Sequence, residues 1–316
     1  MRPFSNKESV KKSTPSEKKA LAERAKRHVY KLSHEIGDRN VFRYHELNEA
    51  AGYIKEQFES FGYEVGFQHF SARGKEFKNI IVTKPGSRNP GEIFVLGAHY
   101  DTRNNPGADD NASAVAGLLE IARIFRDKKT ARTVRFVAFT NEEPPFFKKK
   151  AMGSRVYASD AKKKGDDIKG ALILEMIGYY SDRRNSQHFP PGFNFFYPDR
   201  GNFIVVAGNL KSKELTKNIV ASFKKKTDFP VRRVVGPKIL IGIDQSDNWS
   251  FWKEGYPAVM ITDTAFYRNP HYHKVSDTYD TLDYAGIAEV VTGLAASLQS
   301  LANGGISGFP EAAYAR

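Results

Sequence analysis

Three short runs of almost uninterrupted apolar residues limit what this chain can become: Ile93–Ala98, Thr133–Phe139 and Ala171–Met176. A strand with one wet face alternates apolar and polar side chains, whereas a run without that alternation is a strand buried on both faces. Phe203–Ala207 and Ala258–Ile261 are shorter runs of the same kind. Helical spacing fills the gaps at Ser113–Phe125, Lys211–Phe223 and Asp283–Leu301. Buried strands alternating with helices predict an α/β fold, a three-layer α/β/α sandwich around a mixed, mostly parallel sheet. Upstream, Tyr63–Phe70 and Asn79–Thr83 read as strands, and the stretch 85–91 as a loop. Thr14-Pro15-Ser16-Glu17 is a capping box with proline at the first helical position, which predicts a helix to Leu32 or Ser33. A second amphipathic helix spans His45–Phe61 and is stopped by Gly62.

The formal charge of +13 raises a nucleic-acid reading, but its distribution opposes it. Residues 1–32 hold ten Lys and Arg against three Glu, so +7 of the +13 lies in the first tenth of the chain. The remainder sits in short clusters, Lys148 to Lys150, Lys162 to Lys164 and Lys224 to Lys226, expected to be solvated helix ends and loops. The predicted organisation is therefore a basic N-terminal extension with a helix (1–39), one domain (40–303) and a C-terminal tail (304–316). The first residues lack the apolar core of a secretory signal, so a soluble chain without an encoded export signal is expected. No apolar run approaches the roughly 18 residues of a transmembrane span. Oligomeric state, compartment and preferred substrate residue have no signature in the sequence.

Cysteine is absent, which excludes disulfides, thiol nucleophiles and thiolate metal sites. Any metal must sit on nitrogen and oxygen, and in open α/β sheets ligands bind beyond the carboxyl ends of strands. The first apolar run leads into His99-Tyr100-Asp101, the second into Asn141-Glu142-Glu143, and the third ends in Glu175. Between the first run and its helix lies Gly107-Ala108-Asp109-Asp110-Asn111, and near the C-terminus stand Tyr272-His273 and Ser276-Asp277-Thr278. Each piece alone has an ordinary explanation: a surface histidine, a charged turn, an Asx cap. Three consecutive strand exits that each deliver a hard ligand do not. Two imidazoles and three carboxylates are what two divalent ions need when no thiolate is at hand, zinc first, with cobalt or manganese as alternatives. A doubled glutamate leaves one carboxylate over to move protons.

GAHYD, GADDNASA, NEEPP followed by Gly153-Ser154, LEMIGYY and NPHYHKVSDTYDTLDY, in this order across residues 40–303, resemble the co-catalytic dizinc aminopeptidases of metallopeptidase family 28. Glutamate carboxypeptidase-like enzymes and glutaminyl cyclases belong to the same family. The resemblance implies His99 and Glu175 on one metal, Glu143 and His273 on the other, and Asp110 bridging them, with Asp109 left as a loop residue. It further implies Asp101 orienting His99, Glu142 as general base and acid, and Tyr272 as a hydroxyl for the oxyanion. The function it implies is a metal-dependent exopeptidase, foremost an aminopeptidase acting on peptides with a free N-terminus. A glutaminyl cyclase-like acyltransferase or a carboxypeptidase on the same fold are the alternatives, and a non-catalytic binding protein is disfavoured because no ligand is missing.

Three departures stand out. Glu175 replaces the more frequent Asp, Ala114 a frequent Gly, and Ser246-Asp247-Asn248 lacks the His of a Ser-Asp-His segment. Pro144 to Phe147 and the aromatic stretch 189–197 are expected to wall the pocket. His271 is expected to be exposed, and His28, His34, His45, His69 and His188 carry no ligand pattern.

Overall fold

A computed structural model describes residues 12–189, 198–237 and 242–304. Eight strands form one sheet: β1 (Val65–Ala72), β2 (Lys75–Lys84), β3 (Asn89–His99), β4 (Arg132–Phe139), β5 (Asp167–Glu175), β6 (Ile204–Gly208), β7 (Val231–Val235) and β8 (Ala258–Thr262). Their order is β1-β2-β4-β3-β5-β8-β6-β7. The central β4-β3-β5-β8 block is parallel throughout, while β1, β2 and the β6/β8 pairing are antiparallel. The sheet is thus mixed, with helices on both faces as the sequence predicts.

The apolar runs explain the two faces directly. Successive strand side chains point to opposite sides. Phe94, Leu96, Ala98, Val134, Phe136, Leu172 and Leu174 pack into one core, whereas Ile93, Val95, Val137, Phe139, Ala171 and Ile173 pack into the other. The first core is covered by α1 (Pro15–Tyr30), α2 (Tyr44–Ser60), α3 (Ala114–Phe125), α5 (Lys213–Lys226) and α7 (Tyr284–Ala302). The second is covered by α4 (Gly153–Lys164) and α6 (Asn248–Lys253).

Two helices and one strand escaped the sequence reading. In α4 only Tyr157, Ala158 and Ala161 of the long side chains and alanines are buried, so its polar remainder hides the period. α6 is six residues long, and β7 is an edge strand with two exposed arginines. The loop expected over 85–91 ends early, because β3 already begins at Asn89. Gly153 is obligatory where α4 starts. A Cβ there would lie 2.3 Å from Asn79 Oδ1 and 2.4 Å from the Thr140 carbonyl. The lysine clusters 162–164 and 224–226 occupy the last turns of α4 and α5, where cations complement the helix dipole.

α7 differs from the expectation that no span-length apolar run exists. It is long and apolar enough to cross a membrane by length and composition, but 72% of the apolar window is buried inside the fold. Its neighbours explain why: α5, α1 and α3 wrap it, so it is the central core helix of its layer.

The helix predicted in the basic extension forms, with both halves of the capping box present at Thr14 and Glu17. It is embedded in the first core through Leu21, Ala25 and Val29. An ion-pair cluster fastens it: the fully buried Glu120 of α3 receives Arg24 Nε at 2.9 Å and Arg123 Nη2 at 2.9 Å, with His28 Nε2 at 3.6 Å. Burial alone would raise the Glu120 carboxyl, but His28 and the two arginines bring it down to about 2. A folded-state value below the unfolded one stabilises above the unfolded pKa, here above about 4.5, and the contribution disappears as pH falls toward 2. The shift corresponds to about 3 kcal/mol. Circular dichroism of acid unfolding should therefore show Glu120→Gln less stable than the parent at pH 7, with the difference closing between pH 4.5 and 2. Equal acid curves for the two proteins would exclude this role.

Candidate metal centre

The carboxyl ends of β3, β4, β5 and β8 share one edge because those strands are parallel and in register: His99 pairs Phe139, and Glu175 pairs Thr262. His99 is the last residue of β3 and Glu175 the last of β5. Glu142 and Glu143 follow β4 by three and four residues. Asp110 lies on the β3-to-α3 connection, and His273 on the loop between β8 and α7. All six are brought together at that edge.

Two ligand groups result, His99–Asp110–Glu175 and Asp110–Glu143–His273, joined at Asp110. His99 Nε2 lies 3.3 Å from Glu175 Oε2 and 3.5 Å from Asp110 Oδ1. His273 Nε2 lies 3.1 Å from Asp110 Oδ2 and 3.2 Å from Glu143 Oε1. The edge of a tetrahedron with zinc–ligand bonds of about 2.0–2.1 Å is about 3.4 Å, so both groups have the size of a zinc site. Asp110 Oδ1 is buried with no hydrogen-bond partner, an orphan that a cation would satisfy. The donor set fits divalent ions.

Protonation follows the same logic. Burial alone would depress both imidazoles, but Glu175 and Asp101 raise His99 well above its ordinary value, and Asp110 and Glu143 raise His273 to about 9. Burial pushes Glu143 up to about 7, with Asp110 adding to it and His273 opposing. Burial would raise Asp110 as well, but the two imidazoles hold it below its ordinary value. In this state protons on the rings balance charge that a cation would balance more fully.

Glu142 is buried next to this pair of groups. Its backbone N–H and that of Glu143 donate to the two oxygens of Asp101, each at 3.0 Å. Asp101 therefore clamps the doubled glutamate. The expected orientation of His99 comes chiefly from its backbone: His99 Nδ1 lies 3.1 Å from the Asp101 carbonyl and 3.6 Å from the carboxylate. Burial, followed by the Glu143, Glu175 and Asp247 charges, pushes the Glu142 carboxyl well above the usual range against the pull of His99. Tyr272 stacks on His273 with ring centroids 3.7 Å apart and borders the cleft. Burial pushes its hydroxyl up as well.

Several residues outside the two ligand groups support them. Asp277 accepts from the backbone N–H of Asp109 at 2.9 Å and of Asp110 at 3.1 Å, fixing the loop behind the shared ligand. Its place in the Ser276-Asp277-Thr278 motif was the available signal. Arg39 is fully buried and spreads its guanidinium over the carbonyls of Leu32, Gly37, Tyr100, Pro106 and Gly107. Burial lowers it to about 10 while Asp101, Asp277, Asp38 and Asp110 hold the charge. Asp109, expected as a plain loop residue, is fully buried and accepts from Gly178 N–H at 2.9 Å and Asn269 Nδ2 at 2.7 Å. Ser246 Oγ donates to Glu175 Oε2 at 2.6 Å. Asn248, standing where the family has His, is buried and donates to the Ile243 carbonyl at 2.8 Å. His271 is half-buried and within 3.0 Å of Ser276 Oγ.

Two cavities meet at the site. A polar cleft of about 140 Å³ is walled by Arg103, Glu142, Glu143, Pro144, Phe147 and His273, while Phe146 turns into the core. An apolar recess of about 130 Å³, lined by Phe189, Phe203, Val205, Ile243, Met260 and Phe266, shares Glu175, Gln245, Phe266 and Tyr272 with the cleft. Residues 190–197 of the expected aromatic wall lie outside the described residues.

The chain is similar to several known proteins. The protein YfbL of Escherichia coli (strain K12), named as uncharacterized, is 39% identical over 292 residues, 89% of this chain and 88% of its own length. Leucine aminopeptidase 1 of Trichophyton rubrum is 28% identical over 265 residues, covering 76% of this chain and 64% of that enzyme, so the chain spans less than two thirds of it. The fold matches that of a zinc aminopeptidase from Bacillus subtilis with a TM-score of 0.70 at 14% identity, over 90% of this chain and 96% of the other. Residues 79–298 match the sequence model of Peptidase family M28. With the donor groups at the strand ends and the family pattern spanning most of the domain, the chain belongs to peptidase family M28, a family of metal-dependent peptidases.

Proposed function

We propose that the protein is an aminopeptidase working with two divalent ions, zinc by preference. The observation that carries this reading is the meeting of two complete ligand groups at Asp110, with Glu142 free beside them. His99 and Glu175 would hold one ion, Glu143 and His273 the other, and Asp110 both. Such a pair supplies polarisation of the peptide carbonyl and a water acidic enough to attack at neutral pH.

The residues around it have separable tasks. Glu142, held by Asp101 and kept above the usual carboxylate range, takes the proton of the attacking water and returns it to the leaving amine. Tyr272 presents a phenol toward the cleft, where it can donate to the developing oxyanion. Ser246 and Asp277 keep Glu175 and the Asp110 backbone in place, the kind of outer support on which ligand geometry depends. The apolar recess beside Glu175 suits an apolar side chain on the N-terminal residue.

A substrate panel tests the reading. The zinc-loaded chain should release p-nitroaniline from leucine p-nitroanilide, and N-acetylation of the substrate should lower kcat/KM at least about 100-fold. Equal turnover of the blocked substrate would exclude an aminopeptidase. Formation of a pyroglutamyl product from N-terminal glutamine, without hydrolysis, would assign acyl-transfer chemistry instead.

A further inference from the structure

Two of the three lysine clusters end helices, at 162–164 in α4 and at 224–226 in α5. The third, Lys148 to Lys150, lies on the loop between β4 and α4, directly after the cleft-lining Phe147. Lys148 holds a positive φ of 55°, a left-handed conformation that residues with a Cβ keep only where their surroundings hold them. Its ammonium is the group that those surroundings hold. Nζ lies 5.2 Å from the centre of the Phe147 ring and donates to Asp244 Oδ2 at 3.0 Å. The two side chains are only 25% and 22% exposed, so salt screens this pair less than one on the open surface.

Asp244 ties this loop to the wall of the apolar recess. It stands between Ile243, which lines the recess, and Gln245, which lines recess and cleft alike. Its other oxygen, Oδ1, accepts from Gln245 Nε2 at 2.7 Å. A carboxylate only accepts, so the amide turns its NH2 to Asp244 and does not swing freely where the two cavities join. A chain of contacts thus runs from Phe147 on the cleft through Lys148 and Asp244 to Gln245. Resting on the aminopeptidase reading, we infer that the Lys148–Asp244 ion pair sets the selectivity for the first residue of the peptide, by fixing Gln245 at the junction of recess and cleft. A side chain long enough to enter the recess meets that wall, whereas the single methyl of alanine does not. Lys148 is a positioning residue, acting through Asp244 and Gln245.

Steady-state kinetics on leucine and alanine p-nitroanilides, with calorimetry of leucine and alanine hydroxamates, test the assignment on the zinc-loaded chain. The parent should favour leucine over alanine at least about 10-fold in both measurements. Lys148→Met and Asp244→Asn should each lower that ratio at least about 5-fold, through a higher KM for the leucine substrate with kcat within about 2-fold of the parent. Lys148→Arg should keep the ratio, and so should Lys149→Met, which removes the same charge from the neighbouring exposed lysine. A partly exposed ion pair adds little stability, so Tm should fall by no more than about 3 °C in any of these variants. An unchanged ratio in Lys148→Met and Asp244→Asn overturns the inference. Equal losses on leucine and alanine, or the same loss in Lys149→Met, overturn it as well, because they would mark general disorder or general charge. The hydroxamate affinities are read without turnover. A chain that leaves leucine p-nitroanilide intact would therefore count against the aminopeptidase reading, while the hydroxamate ratio would still decide the role of the ion pair.

Discussion

Replacing Glu142 by Gln is expected to lower kcat on leucine p-nitroanilide by about 10²–10⁴-fold, the usual contribution of a positioned general base. The substitution preserves shape, and the clamp survives because Asp101 holds backbone N–H groups, not the Glu142 side chain. What is lost is the ability to take a proton. Zinc content measured on the same preparation should stay at the parent value, since Glu142 belongs to neither ligand group. Asp110→Asn provides the contrast, because it touches both groups and should reduce metal content together with rate. Steady-state kinetics combined with elemental analysis separates the two, and a Glu142→Gln variant with parent kcat would remove this residue from the chemistry.

Stripping the metal should have an effect of comparable size on the fold itself. A chelator should abolish hydrolysis and lower Tm, and added zinc should restore both. A ligand held only by the native state stabilises it by about 4 kcal/mol at a thousandfold excess over Kd, which for a chain of this length is on the order of 10 °C. The pH dependence of the stripped protein has a definite sign. Glu143, Asp247 and Asp277 titrate near 7 and Asp263 near 6, all raised first of all by burial, while His273 is raised to about 9. A group whose folded pKa exceeds its unfolded one stabilises below the unfolded value and loses that contribution as pH rises through the folded value. The stripped protein should therefore lose stability continuously from about pH 4 to pH 9, and the interval between stripped and zinc-loaded melting temperatures should widen over that range. Differential scanning calorimetry at pH 5, 7 and 9 checks it. A gap that narrows with pH would mean that these carboxyls are not drawn together as described.

Legibility in the sequence followed physical range. His99 and Glu175 could be located because each ends an apolar strand, and Glu142 and Glu143 because they follow one by three and four residues, a pattern written in a short stretch of sequence. Asp110 and His273 needed the family resemblance, since one stands in a loop that reads as an ordinary cap and the other beside a second histidine. The helix at Pro15 was legible from its capping box, but its burial was not. Its charge suggests a solvated appendage, and the opposing Glu120, some 96 residues away, supplies the partner that the half-buried Arg24 meets against the core. Arg39 left no trace because all the partners of its guanidinium are backbone carbonyls, as far as 68 residues distant. The burial of Asp109 was hidden for a similar reason: Gly178 and Asn269, which hold it, give no local sign of doing so.

The support that Asp277 gives to the Asp109 and Asp110 backbone carries a consequence for how the molecule comes into being. His273 and Asp277 belong to one late loop, and the first helix leans on α7, which follows them. A chain emerging from the ribosome thus holds three strand-end ligands long before it holds the residue that completes the second group or the one that steadies the shared aspartate. Until His273 and Asp277 have been synthesised, the polypeptide lacks a finished candidate centre. The chemistry proposed for this edge is thereby withheld until that late loop has emerged.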